Sequence, residues 1–187
     1  MKIEDYRKRL RYGIAFYRRL VRKYALVVSP RRAAHIISKS KRLTIIVGSA
    51  LPDLKLPRVD LVEFISNIAS LKRAIVVASL VSEKILRDKI PQVIGMNLIE
   101  FVFNLCELGR FKEVRKSDLI VTICHREDIL KQITSAIRHY MPELTILNID
   151  RYYCENATYS FPTVELGVWD RALTVLWQTL SSKSVKS

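Results

Sequence analysis

Four short, predominantly apolar runs punctuate this chain: Leu43–Val47, Ala74–Ala78, Asp118–Cys124 and Leu144–Ile149. They are rich in Ile and Val and do not alternate apolar with polar residues, so each reads as a strand buried on both faces. Between them lie helical patterns. Ser29-Pro30 opens one that runs to about Lys41, and another spans Val59–Ser70. Ser82 caps a short one through Arg87, and Asn97 starts one reaching about Leu108. Two more span Glu127–Tyr140 and Val164–Leu180. Ile90–Ile94 adds a third, short strand. Buried strands alternating with helices require a mainly parallel sheet covered on both sides. Right-handed crossovers then give a Rossmann-like three-layer α/β sandwich.

At 187 residues the chain is long enough for one domain with a real core. Five glycines and six prolines argue against disorder. No apolar run approaches the roughly 18 residues needed to span a bilayer, and no secretory signal is expected. Cys106, Cys124 and Cys154 are spaced too widely for a CxxC redox or zinc pair, so a cytoplasmic chain with reduced thiols is expected.

The net charge of +14 is unevenly placed. Residues 1–32 carry 11 of the 32 Lys/Arg, against only Glu4 and Asp5. Ile3, Tyr6, Leu10, Tyr17, Leu20 and Tyr24 recur at helical spacing, which predicts a basic amphipathic helix with one apolar stripe. The stripe must be covered by the body, a second copy or another protein. A helix packed on an acidic partner is favoured over nucleic-acid or membrane-surface binding. The expected organisation is a helical extension over 1–28, a Rossmann-like domain over 29–181 and a polar tail over 182–187.

The first strand-to-helix connection reads Gly48-Ser49-Ala50-Leu51-Pro52, without the glycine pattern of a dinucleotide or Walker loop. Ser49, Ser79, His125 and Asp150 all follow strands at the same sheet edge, where open α/β sheets bind ligands. His125 suits a ligand contact, an acid–base group or a plain helix cap. Asp150-Arg151 suits an interface ion pair, a ribose contact or a loop salt bridge. Scattered histidines suggest no metal site, and no catalytic triad emerges from spacing. The loop after Ile149 gathers Arg151, Tyr152, Tyr153, Asn156, Tyr159 and Phe161, the residue types that anchor protein interfaces.

Three segments resemble a known family. IDRYYCENATYSFP (Ile149 to Pro162) is similar to the closing segment of the epsilon subunit of the archaeal acetyl-CoA decarbonylase/synthase complex, part of its carbon monoxide dehydrogenase component. AAHIISKSKRLTIIVGS (Ala33 to Ser49) and SDLIVTICHREDILKQITSAIRHY (Ser117 to Tyr140) resemble its segments in the same order. The resemblance implies a fold related to the nucleotide-binding middle domain of thiamine-diphosphate enzymes. It also implies a cytoplasmic α2ε2 assembly whose alpha subunit performs the nickel–iron–sulfur chemistry. The epsilon subunit would then be non-catalytic, stabilising alpha or assisting electron transfer to FAD. On this reading Gly48, Ser49, Ser79 and His125 are the cofactor-side residues; the alternative reading is an independent flavin- or nucleotide-binding electron-transfer protein using this same edge. Asp150, Arg151, Tyr152, Tyr153, Asn156, Tyr159 and Phe161 form the partner-side set. The chain departs from the family pattern with Leu43 for a proline, Cys124 for the glycine before His125, and Arg126-Glu127-Asp128 for tyrosines. Ala78-Ser79-Leu80 lacks the glycine–histidine of relatives.

Overall fold

The computed structural model describes residues 24–184. The amphipathic helix expected over 3–24 lies outside the described residues except for its last position. Seven strands form one all-parallel sheet in the order β1-β7-β6-β5-β2-β3-β4. They are β1 (Leu26–Val27), β2 (Leu43–Val47), β3 (Ile75–Ala78), β4 (Ile94–Gly95), β5 (Leu119–Ile123), β6 (Thr145–Asn148) and β7 (Tyr159–Ser160). The described helices are α1 (Pro30–Lys39), α2 (Leu61–Lys72), α3 (Leu80–Leu86), α4 (Leu98–Cys106), α5 (Lys112–Arg115), α6 (Glu127–Tyr140) and α7 (Leu166–Ser184). The expected Rossmann-like sandwich is the observed fold.

Each strand contributes to two cores, because successive side chains point to opposite faces. Ile45, Val76, Val121 and Leu147 pack on one face with α1, α2 and α7, around the fully buried Trp169. Ile46, Val77, Ile120 and Ile146 pack on the other with α4 and α6, around Phe101. Burying each such side chain is worth about 1.5–3 kcal/mol. The central strands β2 and β5 are buried along their whole length, as the continuous apolar runs require.

Helix starts follow local chemistry. Ser29 accepts from the Arg32 amide, with Pro30 at the first helical position. Asn97 accepts from the amides of Ile99 and Glu100. In two places the structure corrects the expectation. Ser79, not Ser82, caps α3, because β3 stops at Ala78 and the chain turns at once; its Oγ accepts from the Ser82 amide at 3.4 Å. Ser82 is fully buried, and its hydroxyl donates to the Gly48 carbonyl at 2.6 Å. The third strand is reduced to Ile94–Gly95, because the amide of Ile90 is already bonded to the Leu86 carbonyl at the end of α3.

Two strands have no counterpart in the apolar pattern. β1 and β7 are two residues each and pair with one another, Leu26 with Tyr159 and Val27 with Ser160. β7 also pairs with β6, so the segment after Ile149 returns to extend the sheet. The sheet therefore begins at Leu26, and α7 continues to Ser184. No described helix is long and apolar enough to cross a membrane.

Candidate functional site

The chain reverses direction across the sheet between β2 and β5, the point where an open α/β sheet ordinarily offers a ligand crevice. Here that point is closed by backbone. The Gly48 amide donates to the Ile123 carbonyl at 2.9 Å and the Ala50 amide to the Cys124 carbonyl at 3.0 Å. A Cβ on Gly48 would stand 2.3 Å from the Cys124 oxygen and 2.4 Å from the His125 Cα. Glycine is required there by close approach of the two turns. Cys124 itself has φ 61, in the left-handed region that favours glycine.

The open space lies beside this point, outside β5 and β6. A cavity of about 670 Å³ is lined by Ala50 and Leu54 from the turn after β2, His125 to Asp128 and Lys131 from the start of α6, Asp150 to Tyr152, and Trp169. His125 and Asp150 form its floor. Both are buried, at 3% and 2% exposure. The Asp150 carboxylate accepts from the His125 amide at 3.0 Å and pairs with its Nδ1 at 2.9 Å. An ionised carboxylate only accepts, so an ionised Asp150 would accept a hydrogen bond from a protonated Nδ1. The opposite ring nitrogen, Nε2, is buried and has no hydrogen-bond partner among the described residues.

Asn148, at the end of β6, holds this arrangement. Its Oδ1 accepts from the Thr122 hydroxyl at 2.9 Å and from the Asp150 amide at 3.3 Å. Its Nδ2 donates to the Tyr152 carbonyl at 2.7 Å and to Ser160 Oγ at 2.9 Å. One amide side chain thus ties β5, β6 and β7 to the loop between the last two. Trp169 closes the floor from α7, its indole N–H donating to the Ile149 carbonyl at 2.8 Å.

Charges around the mouth are mostly paired. Arg126 meets Asp128 at 3.1 Å and Lys131 meets Glu127 at 2.8 Å; the latter contact holds the Lys131 ammonium above its usual pKa. Arg151 is different: it lies 4.4 Å over the Tyr152 ring and donates to the Tyr152 hydroxyl, with no carboxylate partner among the described residues. The Cys124 thiol beneath is pushed well above its usual pKa by burial and then by the Asp150 charge, so it is no nucleophile at neutral pH. Among the described residues no group of three or more His, Cys, Asp or Glu is placed to hold a metal ion.

Of the cofactor-side residues, the structure puts only His125 on the cavity wall. Gly48 is packed against the β5 turn, Ser49 sits in the turn after it, and Ser79 caps α3. FAD, which the resemblance implies, needs a cradle of free amides for its pyrophosphate. The amides of Gly48 and Ala50 are already bonded, and the bare face of Gly48 is filled by protein backbone. The Gly48 and Ala50 amides and the packed face of Gly48 therefore offer no cradle to a dinucleotide pyrophosphate.

Of the partner-side residues, Asp150, Arg151 and Tyr152 line the cavity, and Tyr153 is half-buried with its hydroxyl donating to the Ala25 carbonyl. Asn156 donates to the Lys131 carbonyl at 3.2 Å, and Tyr159 sits in β7 against the core. Phe161 is 2% exposed, a core residue. Sequence reasoning did not pair His125 with Asp150, and it assigned Asn148, Lys131 and Trp169 no place in a site. The polar Asn148 at the end of an apolar run was the available signal.

Residues 18–170 match the family described as CO dehydrogenase beta subunit/acetyl-CoA synthase epsilon subunit. The chain is also 28% identical over 155 residues to the acetyl-CoA decarbonylase/synthase complex subunit epsilon 1 of Methanosarcina barkeri (strain Fusaro / DSM 804). That alignment covers 82% of this chain and 88% of the relative. The chain belongs to this family.

Proposed function

We propose that this member of the CO dehydrogenase beta subunit/acetyl-CoA synthase epsilon subunit family is a non-catalytic subunit of an acetyl-CoA decarbonylase/synthase complex. Its role is to dock on and stabilise the large alpha subunit, in an α2ε2 unit where alpha carries out the carbon monoxide chemistry. The observation that carries the reading is the family match across nearly the whole sheet, together with an epsilon-subunit relative of similar length.

The docking element is the loop between β6 and β7. Arg151, Tyr152, Tyr153 and Asn156 are its half-buried side chains, held from below by Asn148. Aromatic and arginine side chains presented by a rigid support lose little entropy on binding, which suits interface anchors. Asp150 and Phe161 are buried, so they support this surface rather than form it. Electron transfer to FAD is not part of this reading, since the amides of Gly48 and Ala50 in the turn after β2 are already bonded within the protein.

Affinity capture of the tagged full chain from native extract tests the proposal. A large nickel–iron–sulfur subunit in near-equal amount is the expected companion. It should be lost from an Arg151→Glu, Tyr152→Ala double variant that still folds. Capture of the chain without that subunit overturns the reading.

A further inference from the structure

We infer that the cavity beside the His125–Asp150 pair is a binding site for a small organic anion, a phosphate monoester or a carboxylate. Its oxyanion head is received by Arg151 and His125. The inference rests on the cavity's own chemistry and does not depend on docking to a second subunit.

Three observations converge. The first is the unmatched cation: the other mouth cations are paired, Arg126 with Asp128 and Lys131 with Glu127, while among the described residues the Arg151 guanidinium meets the Tyr152 ring and hydroxyl and no carboxylate. A guanidinium keeps spare N–H donors in such a contact, arranged for two oxygens of one head group. The second is the orphan nitrogen. His125 is held by Asp150 through two bonds, yet its Nε2 is buried without a partner among the described residues. Buried polar atoms without a partner are uncommon and call for an explanation. A ligand oxygen at that atom would supply one, accepting from imidazolium or donating as a hydroxyl to the neutral ring.

The third is the start of α6. This helix has 14 residues, and Arg126 at its N-cap makes no side-chain capping bond. Its first amides and the positive end of its dipole therefore face the same mouth as Arg126, Glu127 and Asp128. Glu127 and Asp128 oppose an anion, but each is engaged by a cation. Leu54, Ala50 and Tyr152 leave an apolar and aromatic wall for the body of the ligand. The volume, about 670 Å³, lies within the roughly 300–1,000 Å³ of ordinary small-molecule sites.

The test is a titration of the ¹⁵N-labelled full chain with phenyl phosphate and, separately, with benzoate, which share the oxyanion and ring but differ in head group. Saturable shifts of the His125 imidazole nitrogens, with a Kd on the order of 1 mM or tighter, are expected for at least one probe. Arg151→Gln should weaken that binding about tenfold or more, Arg151→Lys should restore part of it, and Lys84→Gln on distant α3 should leave it unchanged. Saturation by phenyl phosphate alone assigns a phosphate head, by benzoate alone a carboxylate head, and by both an unselective oxyanion site; each supports the inference. Linear shifts for both probes overturn it, as does equal weakening by Arg151→Gln and Lys84→Gln. The wild-type His125 resonance is read independently of how any variant folds.

Discussion

The hydroxyl of Tyr153 donates to the backbone carbonyl of Ala25 at 3.0 Å, across 128 residues of sequence. This bond pins the entry of the sheet to the loop that follows β6. It also explains why a two-residue edge strand holds its place: β1 is anchored at one end by a side chain as well as by its pairing with β7.

Removing that hydroxyl tests the anchor. Tyr153→Phe should cost about 0.5–1.5 kcal/mol, the net worth of one hydrogen bond. The loss should be local. Amide exchange should quicken at Leu26 and Val28, which donate to Thr158 and Ser160, while β2 and β5 keep their protection. Hydrogen-exchange mass spectrometry or NMR reads this; unchanged exchange at those amides would count against the anchor.

Asn148→Ala removes partners from Thr122, Tyr152, Ser160 and the Asp150 amide together. Leaving several buried groups unsatisfied should cost about 2–4 kcal/mol in urea unfolding. Because the same amide supports the loop, capture of the second subunit should weaken even where the sheet survives.

Gly48→Ala places a methyl group against the Cys124 carbonyl and the His125 Cα, backbone atoms with no freedom to swing aside. Destabilisation of about 3 kcal/mol or more is expected, from overpacking rather than from lost phosphate contact. A stable Gly48→Ala protein would mean that the β2 and β5 turns are further apart than described.

Asp150→Asn leaves the shape of the His125 pair but changes its proton. The Asn amide can accept from the His125 backbone while its N–H donates to Nδ1, which moves the ring proton of the neutral imidazole to Nε2. The ¹⁵N shifts of the two ring nitrogens should exchange character, with a stability loss of about 1–2 kcal/mol from the weaker bonds. Ring shifts identical to those of the parent protein would contradict the pairing.

Alkaline pH should weaken the fold through its thiols. Burial raises Cys124 well above its usual pKa, with Asp150 adding to the rise, and raises Cys154 and Cys106 as well. A thiol whose pKa is raised by folding stays protonated in the native state after the unfolded chain has ionised. Its stabilisation is full below the unfolded value, about 8.5, and drains away as pH rises beyond it. A fully buried thiol such as Cys124 contributes up to about 1.4 kcal/mol per pH unit. Urea midpoints should fall as pH rises past about 8.5, and less steeply in Cys124→Gly, a substitution the φ of 61 accommodates. Equal slopes would show that Cys124 ionises freely in the folded protein.

What was legible from residue order was whatever short-range chemistry sets. Predominantly apolar runs marked β2, β3, β5 and β6, because a strand buried on both faces leaves no regular polar alternation. Ser29 and Asn97 marked helix starts, because a cap bonds amides two or three residues away. The tyrosine-rich loop stood out by composition, and its kinship to one family could be read there.

Spatial arrangement settled the rest. β1 and β7 are too short to carry a periodic signal, and they exist because each completes the other's hydrogen bonds. His125 and Asp150 meet across 25 residues only because β5 and β6 are adjacent and parallel, bringing their ends to one edge. Phe161 reads as an interface aromatic in the chain but is core in the fold, since β7 turns it beneath α7. Local preferences act over a few residues, whereas the site depends on which strand ends become neighbours, and that is set by the packing of the whole sheet.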